Sequence, residues 1–344
     1  RWHAFGKSYR PGDVLVDTLT PILKTNDLMI EVRFGKNPLK DKGSFWDDGM
    51  VRVTGREYNG LLESPCYAHD DKARKLSCMS CHQMHRKSDD PRPLREWTDD
   101  QLKPGMRGDQ ACLQCHEKFA DRIEEHTHHP LNSEGSRCYN CHMPHTTYGL
   151  LKASRSHKVD SPSVASSIET GRPNACNQCH LDKTLEWTAA RLSEWHRIEP
   201  PPLSQDEANI AASVLWTLRG DAGQRALMAW SFGWDSALAA SGYEWMAPNL
   251  ANLLSDPYDA VRYIAYRSLR RLPGFESFEY DFTAPQAQLI EASEQALQIW
   301  TNRRIESGLS GYEEALINAD GSLQSETITR LLRQRDNSPI VLNE

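Results

Sequence analysis

The sequence has no apolar run long enough to cross a membrane and no excess of basic residues. Its 344 residues include 40 Lys and Arg against 47 Asp and Glu, a net charge of -7. This balance argues against a nucleic-acid partner, and the lack of an 18-residue apolar run excludes a transmembrane helix. Only 39% of the residues are hydrophobic, and the length predicts two or three domains.

Familiar catalytic signatures are also missing. No P-loop, no Rossmann glycine pattern and no nucleophile–base set stands out, so we assign no catalytic residue and favour a protein that is not an enzyme. The first residue is Arg1, and no apolar signal segment follows it. We therefore expect the mature form of an exported protein, or a fragment.

Cysteine, by contrast, is plentiful and regularly placed. Eight of the nine cysteines form four C-x-x-C-H motifs, the attachment signature of c-type haem. A zinc ribbon or a disulfide framework gives no reason for a histidine directly after each pair. The motifs are Cys78/Cys81/His82 (motif 1), Cys112/Cys115/His116 (motif 2), Cys138/Cys141/His142 (motif 3) and Cys176/Cys179/His180 (motif 4).

The spacing of these motifs predicts a closely packed group of four haem c cofactors. All four lie within residues 78–180, roughly 26 residues per haem, which is too short for each unit to build its own core. The haems would then form the core of this region and lie against one another. In this arrangement the four histidines of the motifs are the proximal iron ligands.

Distal ligands must come from the nine remaining histidines, which are concentrated in the same region. His85 is too close to His82 to bind the same iron and would serve a neighbouring haem. His126 and His129 are three residues apart and share a face at helical spacing, with His128 as the spare. His157 lies in a polar loop.

Two further residue types leave alternatives open. Met84 and Met143 flank motifs and are alternative axial ligands, although packing against a porphyrin edge is the simpler interpretation. The leftover Cys66 is interpreted as a buried thiol, with an intermolecular bridge or a ligand pair with His69 as alternatives.

The segments around motifs 3 and 4 resemble the multihaem cytochrome c superfamily, which includes tetrahaem electron carriers of ammonia oxidisers and pentahaem nitrite reductases. The resemblance covers roughly residues 56–196. It implies that His85, His126, His129 and His157 supply the distal ligands. The segments that carry it are CYNCHMPHTTYG from Cys138, Ser156-His157, and GRPNACNQCHLDK from Gly171, followed by Trp187.

One departure from these relatives bears on function. The nitrite reductases carry a C-x-x-C-K motif at the catalytic haem, and this sequence has none. The resemblance therefore implies an electron carrier rather than an enzyme.

The predicted fold is mainly α-helical, in three parts. Residues 1–60 form a segment with short strands, since Ile30, Val32 and Phe34 alternate with charged residues and Val51–Val53 offers a second strand after an Asp-Asp-Gly turn. Residues 61–198 form a tetrahaem domain with little regular secondary structure. The prolines at 200–202 end it, and residues 203–344 form a helical domain.

Helices in the last part are predicted from caps and periodicity, and two similar segments about 35 residues apart suggest a HEAT-like solenoid, with a plain bundle as the alternative. Asp256 is the predicted N-cap of its clearest helix. That helix carries Arg262, Arg267, Arg270 and Arg271, interpreted as a solvated face or as a docking surface for an acidic partner or propionates. The other predicted helices span residues 185–196, 208–218, 224–232, 247–254, 283–305 and 323–334.

The sequence thus favours electron transfer through four bis-His haems in the periplasm, outside the cell or on the outer face of the cytoplasmic membrane. Expected partners are other redox proteins, either cytochromes or quinol-linked membrane donors, with assembly through the helical domain. One alternative is an oxidoreductase acting on a small nitrogen or sulfur compound. The other is the protomer of a haem filament or larger complex, with His3, His69 or His145 ligating across an interface.

Overall fold

The computed structural model describes residues 45–53, 57–70, 75–307 and 311–340. The predicted strand at Ile30–Phe34 and the terminal His3 lie outside these residues. The described chain is mainly helical, as expected. Its helices before residue 143 are only four to seven residues long, too short to be stable without tertiary support. They are α1 (Glu57–Leu62), α2 (Cys78–Cys81), α3 (Leu94–Asp100), α4 (Gln110–Leu113), α5 (Ile123–Thr127) and α6 (Cys138–His142).

The one regular sheet in the described residues is a hairpin after α6. Its strands, β1 (His145–Tyr148) and β2 (Lys152–Arg155), pair antiparallel with Thr146 opposite Ser154. The segment at 45–53 packs onto this hairpin, because Gly149 N–H donates to Val53 O and the Thr146 hydroxyl to Val51 O. Within this segment Phe45 and Val51 form an isolated antiparallel bridge, and the predicted pairing with the strand at 30–34 stays a prediction.

Three helices lead from the hairpin to the proline segment. They are α7 (Val164–Thr170), α8 (Ala175–Cys179) and α9 (Leu185–His196). Thr184 caps α9 through its hydroxyl, which accepts from Trp187 N–H. The bounds of α9 match the predicted helix at 185–196.

The C-terminal part is built from longer, better-buried helices. Helix α14 packs against α15 and α16, and α12 packs against α11 and α15. Asp221 caps α12 with two backbone N–H bonds and a capping box. The helices are α10 (Gln205–Asn209), α11 (Ala212–Leu218), α12 (Ala222–Ser231), α13 (Asp235–Ser241), α14 (Ala247–Leu254), α15 (Asp259–Leu269), α16 (Gln286–Ser307) and α17 (Ser325–Arg333).

Two helix predictions in this part were wrong in detail. The predicted helix at 208–218 is split, because Ala211 leaves the helix to pair with Thr184 and its N–H donates to Glu314 O. The predicted N-cap Asp256 does not cap α15, whose N-cap is Tyr258. One Asp256 carboxylate oxygen accepts from the N–H of Tyr258 at 3.0 Å, and the other accepts from the Arg225 guanidinium at 2.7 Å, with both side chains of that pair fully buried.

The arginines of α15 are engaged within the chain. Arg262 is buried and donates to Phe282 O and Asp256 O. Arg270 donates to Glu276 O, and Arg271 donates to Gly233 O. Arg267 lies over the Tyr263 ring. Arg262 at least is therefore not part of a solvated face, which corrects that interpretation for this residue.

One hydrophobic core runs through the described residues. It extends from Val53 and Leu150 through α9 and on to Leu331 in α17. The predicted apolar set of α15 is confirmed as buried: Val261, Ile264, Ala265, Leu269 and Leu272. Large exposed apolar side chains fall mostly before residue 152: Met79, Met84, Leu94, Leu131 and Leu151.

Candidate haem-binding site

The cysteines of motifs 1, 3 and 4 lie within very short helices, while motif 2 begins in α4 and continues for three residues beyond its end. In one helical turn the two cysteines, three residues apart, lie on the same face, as attachment to two vinyl groups on one porphyrin edge requires. Local caps support these turns: Ser77 forms a capping box with Ser80 ahead of motif 1, and the Asn174 side chain accepts from Cys176 N–H at motif 4.

Asp109 connects motif 2 to motif 3. It precedes α4, yet its carboxylate accepts from Cys138 N–H at 2.9 Å and from Arg137 at 3.1 Å. A carboxylate at the start of α6 also favours that helix electrostatically. Sequence reasoning did not identify this residue, since nothing local distinguishes it from an ordinary turn aspartate.

The cysteine thiols of successive motifs are neighbours in chain order. Cys112 of motif 2 and Cys138 of motif 3 are hydrogen-bonded, which with burial raises the pKa of Cys112. Burial raises the pKa of Cys81, and the nearby Cys115 adds to it. Burial likewise raises the pKa of Cys176 to about 12, with a contribution from Cys141. Cysteines of motifs 1 and 2, of motifs 2 and 3, and of motifs 3 and 4 therefore lie close enough to affect one another's pKa.

None of the nine cysteines, all within the described residues, forms a disulfide. Cys66 is half-buried, and burial raises its pKa, with smaller effects from its own backbone hydrogen bond and from Cys115 of motif 2.

Three of the four motif histidines each have a second imidazole nearby. The ring centroids are 6.1 Å apart for His82 and His157, and 6.2 Å apart for His142 and His126. For His180 and His129 the separation is 5.9 Å. Two imidazoles on opposite sides of one metal have centroids roughly 6 Å apart, given metal–nitrogen bonds of roughly 2 Å. These separations fit axial pairs on one iron.

Hydrogen bonds fix the tautomer of four of these rings. His82 Nδ1 lies 2.9 Å from Asp100 O, and His142 Nδ1 lies 2.8 Å from Asp160 O. His129 Nδ1 lies 2.6 Å from Thr127 O, and His157 Nδ1 lies 3.2 Å from Arg155 O. A carbonyl only accepts, so each Nδ1 carries the proton. Nε2 is then free for a metal, the usual outer-shell arrangement of ligating histidines.

Motif 2 differs from the other three. His116 is exposed, and its ring neighbour in the described part of the chain is Phe119, at 6.5 Å between centroids. No described histidine ring pairs with it at the spacing seen for the other motifs. His85, the remaining predicted distal ligand, is exposed as well.

Three further histidines, His128, His145 and His196, contact other rings. His128 stacks on Trp195 at 4.5 Å, and His196 lies 5.4 Å from His126. His145 contacts the rings of Trp230 and Trp234. Burial, with a smaller contribution from Arg155, lowers the pKa of His145 well below its usual value. His145 is therefore a neutral core residue in this structure.

Arg155 brings a buried positive charge next to motif 3. It donates to Tyr139 O, Met143 O and Asn140 Oδ1, and its guanidinium lies 4.7 Å from the Tyr139 ring centroid. No carboxylate of the described residues forms an ion pair with it within 4.0 Å. Burial lowers its pKa to about 10, so it stays charged at neutral pH.

These residues fit haem c. Each motif sets two thiols three residues apart in a short helical turn, imidazoles with free Nε2 atoms oppose one another at three motifs, and the apolar side chains of Met79 and Met84 are exposed in and next to motif 1. Porphyrin faces would cover such side chains and supply the apolar core that this part of the chain lacks. No helix of the described residues is long and apolar enough to cross a membrane.

One comparison with known protein families agrees with this chemistry. The family model described as "Doubled CXXCH motif" matches residues 69–121, which contain motifs 1 and 2, and paired CXXCH motifs indicate covalently bound c-type haem. No curated protein matches the sequence. The crystal structure of outer cell wall cytochrome OcwA aligns at 19% identity and a TM-score of 0.36, over 85% of this chain. The chain spans 58% of that protein's length.

The four motifs, together with the family match over residues 69–121, indicate covalently bound c-type haem.

Proposed function

We propose that this chain carries electrons through four c-type haems held at motifs 1 to 4, three of them with two axial histidines. The observation that carries the proposal is the set of three imidazole pairs, each joining a motif histidine to a predicted distal one. Bound haem supplies one-electron redox chemistry. The protein contributes attachment, axial ligation and a low-dielectric surrounding.

The pairs suggest which distal histidine serves which motif. His157 would serve motif 1, His126 motif 3 and His129 motif 4. His85 remains the candidate for motif 2. Two histidines on an iron leave no open coordination site and lower its reduction potential relative to methionine ligation, which suits an electron carrier.

Covalent haem attachment outside the cytoplasm supports an exported protein in the periplasm, outside the cell or on the outer membrane face. Partners would be cytochromes or quinol-linked donors. The domain limits at 61–198 and 203–344 and the HEAT-like character of the helices remain predictions, in which the helical part would serve as the docking module.

The test is a haem count combined with electron paramagnetic resonance on the purified holoprotein. We expect four haems per chain and at least three low-spin ferric signals of the bis-imidazole type. Fewer than four haems, or a majority of high-spin iron, would contradict the proposal. Replacing His126 with Ala should convert one low-spin signal alone, with the solvent-exposed His85→Ala as the comparison for motif 2.

A second function is favoured by motif 2 alone. The missing imidazole partner of His116 among the described residues suits an iron with an exchangeable sixth position, as an oxidoreductase acting on a small nitrogen or sulfur compound requires. Carbon monoxide binding to one of four reduced haems in the wild-type protein would support it. A fully low-spin protein that loses one signal on His85→Ala would eliminate it.

A further inference from the structure

Two distal histidines lie at places where a glycine allows an unusually close approach. A Cβ built on Gly135 would lie 2.1 Å from His129 Cδ2 and 2.5 Å from His129 Cγ. Gly135 occupies the 3-10 turn Glu134–Ser136, just before motif 3. Its φ is not among the positive values of the chain, so backbone conformation gives no reason for glycine there. The reason is space for the His129 ring.

The His129 ring has little freedom to move away. Its Nδ1 donates to Thr127 O, and its backbone N–H donates to Thr127 Oγ1 at 3.3 Å. The ring also packs at nearly a right angle to Trp195, with 6.4 Å between the ring centroids. A methyl group at Gly135 would need roughly 3.5 Å to the nearest carbon. The ring would therefore have to retreat by more than about 1 Å.

The second glycine acts on the backbone that carries His157. A Cβ on Gly60 would lie 2.6 Å from Lys158 N and 2.9 Å from His157 C. Ser64, one turn later and fully buried, fixes the same loop: its hydroxyl lies 2.9 Å from His157 O and accepts from Val159 N–H at 2.9 Å. The α1 segment thus holds the His157 loop by close packing and two hydrogen bonds.

We propose that Gly135, and Gly60 together with Ser64, are positioning residues that set the two distal imidazoles at bonding distance from iron. The inference rests on the proposed function, since it assigns His129 and His157 as axial ligands. Metal–imidazole bonds are short and directional, so a displacement of about 1 Å breaks the bond rather than stretching it. None of these residues touches the metal.

The test compares Gly135→Ala with Gly108→Ala in the holoprotein. A Cβ on Gly108 meets nothing within 4 Å, and its φ is not positive, which makes it the matched control. We expect Gly135→Ala to convert one low-spin haem to high-spin, to gain carbon monoxide binding at one reduced haem and to reproduce the spectrum of His129→Ala. Added imidazole should restore the low-spin signal. Gly108→Ala should match the wild-type protein in spin state, in carbon monoxide binding, in its spectrum and in its response to added imidazole.

A purely structural role for Gly135 would leave the spin state unchanged while lowering the melting temperature, and that result would overturn the proposal. Ser64→Ala provides an independent test at motif 1, because the smaller alanine side chain fits at this buried position. It should raise the rate at which added cyanide displaces an axial ligand by several-fold, and an unchanged rate would overturn the role of Ser64. A wild-type protein without bis-imidazole signals would instead refute the proposed function itself.

Discussion

At the scale of single residues, Arg155 is the charge with the most direct bearing on redox behaviour. A buried cation without a carboxylate partner favours the reduced, less positive form of a nearby haem. Replacing Arg155 with Gln should therefore make one midpoint potential more negative, by on the order of 1 kcal/mol at an effective dielectric constant near 20.

Potentiometric titration followed by absorbance measures this shift. The control is Arg122→Gln, because Arg122 is 58% exposed and paired with Glu125, so its field is screened by water. Equal shifts in both variants, or none in Arg155→Gln, would show that Arg155 does not tune a haem.

Residue types in the candidate site were predictable, but their surroundings were not. The motif spacing led to the cysteines and proximal histidines, and the supply of histidines led to His126, His129 and His157, which the fold brings to three of the motifs. Asp109, Arg155 and Gly135 escaped notice. Asp109 and Arg155 bond to residues distant in sequence, and Gly135 acts by leaving room for the His129 ring. None of these roles produces a periodic pattern in the sequence.

At the scale of helices and strands, local sequence patterns misplaced helix boundaries where a residue distant in sequence bound the same side chain or backbone group. Asp256 and Pro257 together are a strong helix-start signal, and Asp256 does accept from Tyr258 N–H. Its carboxylate also binds Arg225, 31 residues earlier, and the helix begins only at Asp259. Ala211 likewise leaves a predicted helix to pair with residue 184. Where no such competitor exists, as at 185–196 and 247–254, the predicted and observed helices coincide.

The buried Arg225–Asp256 pair yields a stability prediction for the helical part. Asp256→Ala should lower the free energy of unfolding by about 3–5 kcal/mol, because it leaves a fully buried guanidinium without its counter-charge. Asp259→Ala is the control, since its carboxylate is 68% exposed in its ion pair with Arg262 and should cost at most about 1 kcal/mol. Urea denaturation followed by circular dichroism gives both values, and similar losses in both variants would refute the argument.

At the scale of the whole molecule, acid should weaken the fold through His145. Its pKa in the folded state is lowered by burial, so below about pH 6.5 the unfolded chain takes up a proton that the folded chain refuses. As the pH falls, the free energy of unfolding then decreases by up to about 1.4 kcal/mol per pH unit, until the pH reaches the pKa that His145 has in the folded protein.

Comparing wild type with His145→Phe between pH 7 and pH 5 isolates this contribution. Phe keeps an aromatic ring beside Trp230 and Trp234 and cannot be protonated. We expect a smaller loss of stability on acidification in the variant, and parallel pH profiles would contradict the role of His145.

The shared carboxylate of Asp109 has a consequence for transfer kinetics in the proposed function. The start of motif 3 is held to motif 2 by this side chain, at 2.9 Å to Cys138 N, and by the contact between the Cys112 and Cys138 thiols, rather than through a folded layer. In the proposed function Asp109 would then help to set the tunnelling distance between the haems of motifs 2 and 3. A longer or shorter residue at this position would change the rate of electron transfer between these two haems without altering any ligand.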